Sequence, residues 1–264
     1  MAISLASLRR SGDIRAPRIL TYATHGVGKT TLGAGMPNPV VLQTEDGLGM
    51  IEAPTFGILT SYASVMEAIA SLDTEPHEFQ TVVLDSVDWL EPLVWQETCA
   101  RNQWRDIETP GFGKGYLATA DVWREVLGSL TYLRDNRNMA IFMIAHAETR
   151  RFDAPETEAY DRYQPKLQKI GGAIIQEHVD AVFFLNYRVS IAKDDPKQKD
   201  SRARGVGGGS RVLYTTERPA HLAKNRYRMP DQITLPDDPA GMWPAVAKHL
   251  PFYSTPTTSN EGVA

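Results

Sequence analysis

The stretch Ala23-Thr-His-Gly-Val-Gly-Lys-Thr-Thr31 decides the fold of this chain. A polyphosphate needs several backbone N–H groups converging on it, and Gly26 and Gly28 let the chain turn tightly without side chains in the way. Lys29 would then reach the β- and γ-phosphates, and the Thr30 hydroxyl would bind Mg²⁺. The predicted nucleotide-binding residues are Thr24, His25, Gly26, Val27, Gly28, Lys29, Thr30 and Thr31.

The context of this loop is the one that phosphate binding requires. Arg18–Ala23 is an apolar run that predicts a buried strand before the loop, and Gly28–Met36 predicts a short helix after it. Ala23 stands where the usual pattern begins with glycine. Because alanine has less freedom than glycine at positive φ, this departure puts in doubt the loop geometry and the rate of hydrolysis more than binding.

Strands and helices alternate along the rest of the chain. Further strands are predicted at 40–43, 81–85, 139–145, 180–187 and 211–216, and helices at 64–72, 87–105, 118–133 and 170–178. Long loops are predicted at 109–116, 150–163 and 193–210. The strands are apolar throughout, which is typical of an α/β fold with a mostly parallel central sheet, helices on both faces and a C-terminal β extension.

Composition and length fit one globular domain. The 264 residues are 42% hydrophobic and 23% charged, which excludes a wholly disordered chain, a coiled coil and a collagen-like repeat. We expect a flexible arm over 1–16, a single domain over 17–250 and a disordered tail over 251–264. The lone Cys99 excludes an intramolecular disulfide, and no apolar run is long enough for a membrane helix, so a cytoplasmic location without membrane contact is expected.

Acidic and imidazole side chains follow three of the predicted strands. Asp85 ends the strand 81–85, where it could orient Mg²⁺ or cap the next helix together with Ser86. Glu45, or alternatively Asp46, follows the second strand and could position the attacking water. His146 follows the strand 139–145, where a polar side chain could contact both the γ-phosphate and the next loop. The predicted catalytic residues are Lys29, Glu45, Asp85 and His146, and the predicted metal-binding residues are Thr30 and Asp85.

Basic residues gather near the C-terminus. The net charge is −4, but segment 197–228 has nine Lys or Arg against two acids. Within it, Arg218, Lys224 and Arg226 cannot easily reach their own phosphate loop, so they are candidates for contacting the nucleotide of a neighbouring subunit, with a solvated basic surface as the alternative. An acidic body with a basic edge is compatible with a selective binder of nucleic acid but not with a general basic coat.

Together these segments resemble RecA-like ATPases, and among them the core-only phage recombinases of the Sak type. The phosphate loop, Glu45, Leu84-Asp-Ser86 and Ile144-Ala-His146 carry the resemblance, together with three further segments. Those segments are Phe112-Gly-Lys-Gly-Tyr116, Tyr163-Gln-Pro-Lys-Leu167 and Ala223-Lys-Asn-Arg226. The resemblance implies an ATP- and Mg²⁺-dependent recombinase or annealing protein that binds single-stranded DNA. It also implies assembly into a ring or filament with ATP between subunits, and a single-strand-binding protein as a candidate partner.

The resemblance further implies that the loops at about 107–117 and 147–166 contact single-stranded DNA. Cationic side chains in them could meet phosphates and aromatic ones could stack on bases, although exposed aromatic residues often pack on their own domain. The predicted DNA-binding residues are Phe112, Lys114, Tyr116, Arg150, Arg151 and Arg162, with Phe152, Tyr160, Tyr163 and Lys166 as further candidates. Two other functions stay open: a ring-forming DNA motor, and a nucleotide-gated regulator that binds a protein partner.

Overall fold

The computed structural model of the protein describes residues 14–156, 158–193 and 203–254. The strands are β1 (Arg18–Ala23), β2 (Pro39–Gln43), β3 (Thr55–Ile58), β4 (Thr81–Asp85), β5 (Ala140–Phe152), β6 (Tyr160–Pro165), β7 (Ala181–Lys193), β8 (Ala203–Tyr214), β9 (Lys224–Asn225) and β10 (Gln232–Leu235). The helices are α1 (Lys29–Ala34), α2 (Tyr62–Thr74), α3 (Val87–Asn102), α4 (Lys114–Arg137), α5 (Lys169–His178), α6 (Pro239–Ala247) and α7 (Pro251–Ser254).

The central sheet is mostly parallel, which confirms the predicted fold class. Its order is β10-β8-β7-β1-β5-β4-β2-β3, and every pairing from β3 to β7 along this order is parallel. β5 lies between β1 and β4, so the strand that precedes the phosphate loop is separated by one strand from the strand that ends in Asp85. Beyond β7, the strands β8 and β10 are antiparallel and form the predicted β extension.

Helices bury both faces of this sheet. Neighbouring residues of β1 point to opposite faces, so Leu20 and Tyr22 pack with α2, α3 and α4 while Ile19 and Ala23 pack with α1 and α6. The largest fully buried side chain is Trp123 of α4. Since both faces are covered, the carboxyl ends of the strands are the part of the sheet left open to a ligand.

The prediction of a loop at 150–163 is wrong, because this segment belongs to a β-hairpin. β5 continues past the sheet to Phe152 and pairs antiparallel with β6, so that Arg150 faces Arg162 in the register. The Phe152 and Tyr160 rings lie 5.6 Å apart near the turn. A hairpin that projects from the sheet is not covered by helices on both faces, so its sequence has no apolar run to reveal it.

The loop predicted at 109–116 is shortened by helix α4, which begins at Lys114. Gly113 precedes it in the left-handed region with φ of 68°, and Gly115 lies inside the helix against the carbonyl oxygen of Ile107. Gly115 therefore marks a close approach of two backbones. Lys114 and Tyr116 lie on a helix instead of in a flexible loop.

Other boundaries also differ from the sequence expectations. β3, β9, β10, α6 and α7 were not predicted, and the loop predicted at 193–210 is reduced because β8 begins at Ala203. Residues 251–254 form α7, in which Tyr253 contacts Trp243 edge-to-face. The predicted arm up to residue 13, the centre of that loop at 194–202 and the tail from residue 255 lie outside the described residues.

Candidate nucleotide-binding and catalytic site

The loop between β1 and α1 turns at two glycines. Gly26 and Gly28 have φ angles of 73° and 105°, in the region that favours glycine, and a side chain on Gly28 would also meet Met242. Ala23 is the last residue of β1, where it is buried and pairs with His146 in the register. Because Ala23 belongs to a strand, it needs no left-handed backbone, and alanine fits there.

Lys29 begins α1 and folds back over the loop. Its Nζ donates hydrogen bonds to the carbonyl oxygens of Ala23 at 3.3 Å and Thr24 at 3.2 Å, and the residue is only 8% exposed. Burial lowers the pKa of Lys29, while the carboxylate of Asp85 opposes that shift. An ammonium group that has already lost most of its water gains from an anion placed beside it, as a phosphate would be.

Thr30 and Asp85 meet at the carboxyl end of β4. Oγ1 of Thr30 donates a 2.7 Å hydrogen bond to Oδ2 of Asp85, which is 4% exposed. Burial raises the pKa of Asp85 and outweighs the hydrogen bond from Thr30, and the neighbouring Glu45 carboxylate raises it further. A buried carboxylate in this position is stabilised by a cation.

The donor atoms at this point fit Mg²⁺. This ion binds through one or two protein oxygens, substrate phosphates and water, so a hydroxyl beside a carboxylate meets its needs. Among the described residues, no group of three or more His, Cys, Asp or Glu side chains could hold a metal ion alone. A metal bound by Thr30 and Asp85 would therefore depend on phosphate oxygens and water to complete its shell.

The segment after β2 carries Glu45, and the preceding residue, Thr44, fixes this segment to the end of β4. Oγ1 of Thr44 donates to the carbonyl oxygen of Ser86 at 2.7 Å and accepts from the Ser86 N–H at 2.9 Å, which ties the end of β2 to the end of β4. Ser86 is the N-cap residue of α3 by position, but its side chain makes no capping hydrogen bond, unlike the predicted cap. Thr44 was not singled out from the sequence, because its partner lies 42 residues away.

His146 is held by a residue that the sequence analysis missed. Its Nδ1 lies 2.9 Å from Oδ2 of Asp88, and its backbone N–H donates to Oδ1 of the same carboxylate at 3.0 Å. Burial would raise the pKa of Asp88, but the bonds from His146 outweigh it and hold that pKa below its usual range. The His146 ring also lies 4.5 Å from the His25 ring and 3.8 Å from the Glu45 carboxylate.

These side chains line one cavity of about 360 Å³ at the carboxyl ends of β1, β4 and β5. Its lining residues are His25, Gly26, Gly28, Lys29, Thr30, Thr31, Glu45, Asp46, Gly47, Ile51, Asp85 and His146. The structure therefore brings together most of the predicted loop residues and all four predicted catalytic residues. Of the two loop residues outside this lining, Val27 packs into the core beneath the loop, and Thr24 contributes the carbonyl oxygen that binds Lys29.

The predicted DNA-binding residues of the 107–117 segment lie around the start of α4. Phe112 is fully exposed, with φ of 51°. The ring of Tyr116 packs edge-to-face on Trp95 of α3, with 5.3 Å between the ring centroids. Lys114 is the first residue of the helix.

The predicted DNA-binding residues of the hairpin differ in how free they are. Arg151 is exposed at 3.7 Å from Asp153, while Arg150 donates to the carbonyl oxygen of Leu167 at 2.8 Å. Arg162 is largely buried, with its guanidinium 3.7 Å from the centre of the Phe152 ring. It also donates to Glu217 at 2.7 Å, so Arg162 is committed to the fold.

Tyr163 and Lys166, two further DNA-binding candidates of the same segment, also differ in exposure. Tyr163 stacks on Phe184 of the core with 5.0 Å between ring centroids, so its ring belongs to the domain interior. Lys166 is exposed just after β6.

The three basic residues near the C-terminus are not equivalent. Nζ of Lys224 donates to three carbonyl oxygens at the end of α5, at distances of 2.6 to 3.3 Å. Arg226 is 56% exposed and lies 3.6 Å from Asp180. Arg218 is 57% exposed and paired with Asp231. Only the two arginines have side chains largely in solvent, and Lys224 would have to leave its carbonyls to reach a neighbour.

Comparisons with known proteins agree with a nucleotide-binding domain. Among solved structures, the crystal structure of the RadB recombinase is 16% identical, covers 86% of this chain and 90% of its own, and has a TM-score of 0.45. This structural similarity is too low to indicate an activity. No curated protein matches the chain, and no helix within the described ranges is long and apolar enough to cross a membrane. The family described as AAA domain matches residues 15–227, which is most of the chain and includes the whole cavity, so the chain belongs to this family of P-loop ATPases.

Proposed function

We propose that the protein is an ATP-dependent recombinase or annealing protein that binds single-stranded DNA. In this proposal the subunits form a ring or filament with ATP between them, and hydrolysis releases the DNA. The observation that carries the proposal is the course of β5, which lines the nucleotide cavity at His146 and continues without interruption into the hairpin that carries Arg150 and Arg151.

ATP binding is assigned to the loop and to α1. Backbone N–H groups of Gly26 to Thr30 surround the phosphates, and Lys29 exchanges its two carbonyl partners for phosphate oxygens. Thr30 and Asp85 hold Mg²⁺, which when bound neutralises charge on the β- and γ-phosphates. Thr31, which lines the same cavity, is assigned to contact with the α-phosphate.

Hydrolysis is assigned to Glu45, with Asp46 as the alternative. Glu45 lines the same cavity as Lys29, and its Oε1 lies 3.8 Å from His146 Nδ1. In this position its carboxylate accepts a hydrogen bond from water and orients it toward the γ-phosphate. Asp88 is a positioning residue, because it fixes the ring and the backbone of His146 at once.

Coupling to DNA is assigned to β5. β4 pairs with this strand up to Ile144 and β1 pairs with it up to His146, so His146 is the last residue of β5 that the central sheet holds. A contact between His146 and the γ-phosphate therefore acts at the base of the hairpin. Arg151 and Lys166 are exposed cations of that hairpin and its end, and the proposal assigns them to phosphates of a single strand.

Contact with a neighbouring subunit is assigned to Arg218 and Arg226. Both guanidinium groups are more than half exposed and lie far along the chain from the loop that they would reach. An arginine supplied in trans stabilises the charge that develops on a transferred phosphoryl group. A single-strand-binding protein remains a candidate partner for the assembled form.

The test is ATP turnover and single-strand binding by the wild-type protein and Lys29→Ala, with Lys248→Ala as the matched control. We expect wild type and Lys248→Ala to bind an oligonucleotide in an ATP-dependent manner and to hydrolyse ATP faster with DNA. Lys29→Ala should lose both. If wild type binds ATP but no single strands, the recombinase proposal is wrong, and ATP-dependent assembly without DNA would instead indicate a regulator. Translocation on duplex DNA would indicate a motor.

A further inference from the structure

We infer that a groove between α3 and the base of the β5–β6 hairpin stacks unpaired bases of a single-stranded nucleic acid on Trp89 and Trp95. This inference rests on the proposed function and names where the strand lies. The groove has a volume of about 490 Å³ and is bounded by the two indoles on one wall and by Arg150 and Lys166 on the other.

The aromatic wall consists of one exposed indole and one half-buried indole that a neighbouring ring holds in place. Trp89 lies in the first turn of α3 and is 54% exposed, although a tryptophan that served only packing would be buried. Trp95 lies six residues further on, and its ring is held edge-to-face against Tyr116. Both indoles line the same groove, so two faces are available to flat ligands.

The opposite wall is cationic. Lys166 is exposed and, within the described part of the chain, its side chain has no hydrogen bond or ion pair. Arg150 also lines a second cavity, of about 210 Å³, which adjoins the groove and is lined by Lys169 as well. A single-stranded nucleic acid that followed both cavities would contact the two indoles in the first and Arg150 and Lys169 in the second.

The acidic residues of the groove are engaged by other groups and, among the described residues, leave Lys166 without an acidic partner. Asp88 is bonded to His146, and Glu148 forms an ion pair with Arg150. Glu91 is buried, accepts the backbone N–H of Gln168, and has its pKa raised by burial to about 7. Each carboxylate is therefore engaged or partly neutral, and Lys166 is the cation of this groove that is left to meet a phosphate.

Stacking aromatic side chains next to cations are the combination by which proteins hold single strands without regard to sequence. An apolar peptide would use the indoles but would gain nothing from Lys166 or Lys169. The position of the groove also links the strand to ATP, because Trp89 directly follows Asp88, the residue that holds His146. These observations favour a nucleic acid over a protein partner.

The experiment measures binding of a labelled oligothymidylate to the full chain with an ATP analogue, by fluorescence anisotropy. We expect Trp89→Ala to weaken binding at least about fivefold and Lys166→Ala to weaken it and reduce its salt dependence. Tyr132→Ala is the matched control, because Tyr132 is similarly exposed at 53% but lies in a different groove. It should bind like wild type, and all variants should bind the ATP analogue equally.

A second measurement keeps the inference falsifiable if Trp89→Ala folds poorly. Trp89→Phe retains an aromatic face and should bind DNA within about twofold of wild type, but it should lose the part of the oligonucleotide-induced quenching of tryptophan fluorescence that comes from Trp89, while Trp95 keeps its own part. If wild type binds the oligonucleotide and neither the affinity nor the quenching responds to changes at Trp89, the groove assignment is overturned while the proposed function stands. If wild type binds no single strands at all, the proposed function itself fails.

Discussion

Replacement of Lys224 by alanine separates a structural role from a role in trans. In the structure, Nζ of Lys224 donates to the carbonyl oxygens of Gln176, Glu177 and Val179, at 2.6, 3.3 and 2.7 Å. These carbonyls lie at the end of α5, where they have no partner inside the helix and where a cation is favourable. Lys224→Ala leaves them to water, so we expect the free energy of unfolding to fall.

The size of this loss follows from the same contacts. A cation at a helix C-terminus contributes up to about 2 kcal/mol in a partly buried position. Burial lowers the pKa of Lys224, which shows that part of this gain is offset by lost hydration. We therefore expect a loss of about 1–2 kcal/mol, which for a chain of this size lowers Tm by about 2–8 °C.

The assay is thermal unfolding of the nucleotide-free protein, followed by circular dichroism, beside ATP turnover with DNA. Arg226→Ala is the control for the unfolding measurement alone, since Arg226 is exposed at 3.6 Å from Asp180, and such a surface pair contributes less than about 1 kcal/mol. A Lys224→Ala protein with unchanged Tm and abolished turnover would refute the structural reasoning and favour the role in trans.

Two further predictions concern stability. Gly115→Ala should lower the free energy of unfolding by about 2 kcal/mol, because its Cβ would overlap the carbonyl oxygen of Ile107. Gly128→Ala on the same helix has nothing within 4 Å and should raise it by up to about 1 kcal/mol, so equal effects in urea denaturation would contradict this reasoning. Glu91 has a folded-state pKa of about 7 against 4.5, so the unfolded chain loses its proton first and stability falls as pH rises through that window. Glu91→Gln should match wild type near pH 4 and exceed it by about 2–3 kcal/mol at pH 8; parallel pH profiles would show that Glu91 does not titrate in this way.

The phosphate loop could be predicted because its requirements are local. Gly26 and Gly28 must adopt positive φ, Lys29 must begin the helix, and these demands fall within a few consecutive residues. Asp85 could be predicted for a related reason, since a carboxylate at the end of a buried strand lies at the ligand edge of a parallel sheet.

Contacts between distant segments could not be predicted in this way. Asp88 and His146 are 58 residues apart, and nothing in either segment indicates the other. Lys224 has the spacing expected of a trans-acting residue, but whether its ammonium is free depends on how close α5 ends to β9. The hairpin was missed because a charged residue, Arg162, occupies a buried position in it, so polarity does not distinguish its buried from its exposed residues.

The placement of β5 limits the kind of motion that can pass along it. From Ile141 to Ile144 it is hydrogen-bonded to β1 on one side and β4 on the other, and a strand held on both sides can slide only by breaking two ladders at once. Beyond His146 its only strand partner in the described structure is β6, which is itself anchored because Tyr163 exchanges backbone hydrogen bonds with Ala220 and Leu222. A displacement imposed at His146 would therefore be resisted at the base of the hairpin, where Arg162 and Tyr163 are fixed to the domain, and could turn only the part beyond them. Under the proposed function, ATP would act on the orientation of the hairpin tip, while the register of the sheet stays constant.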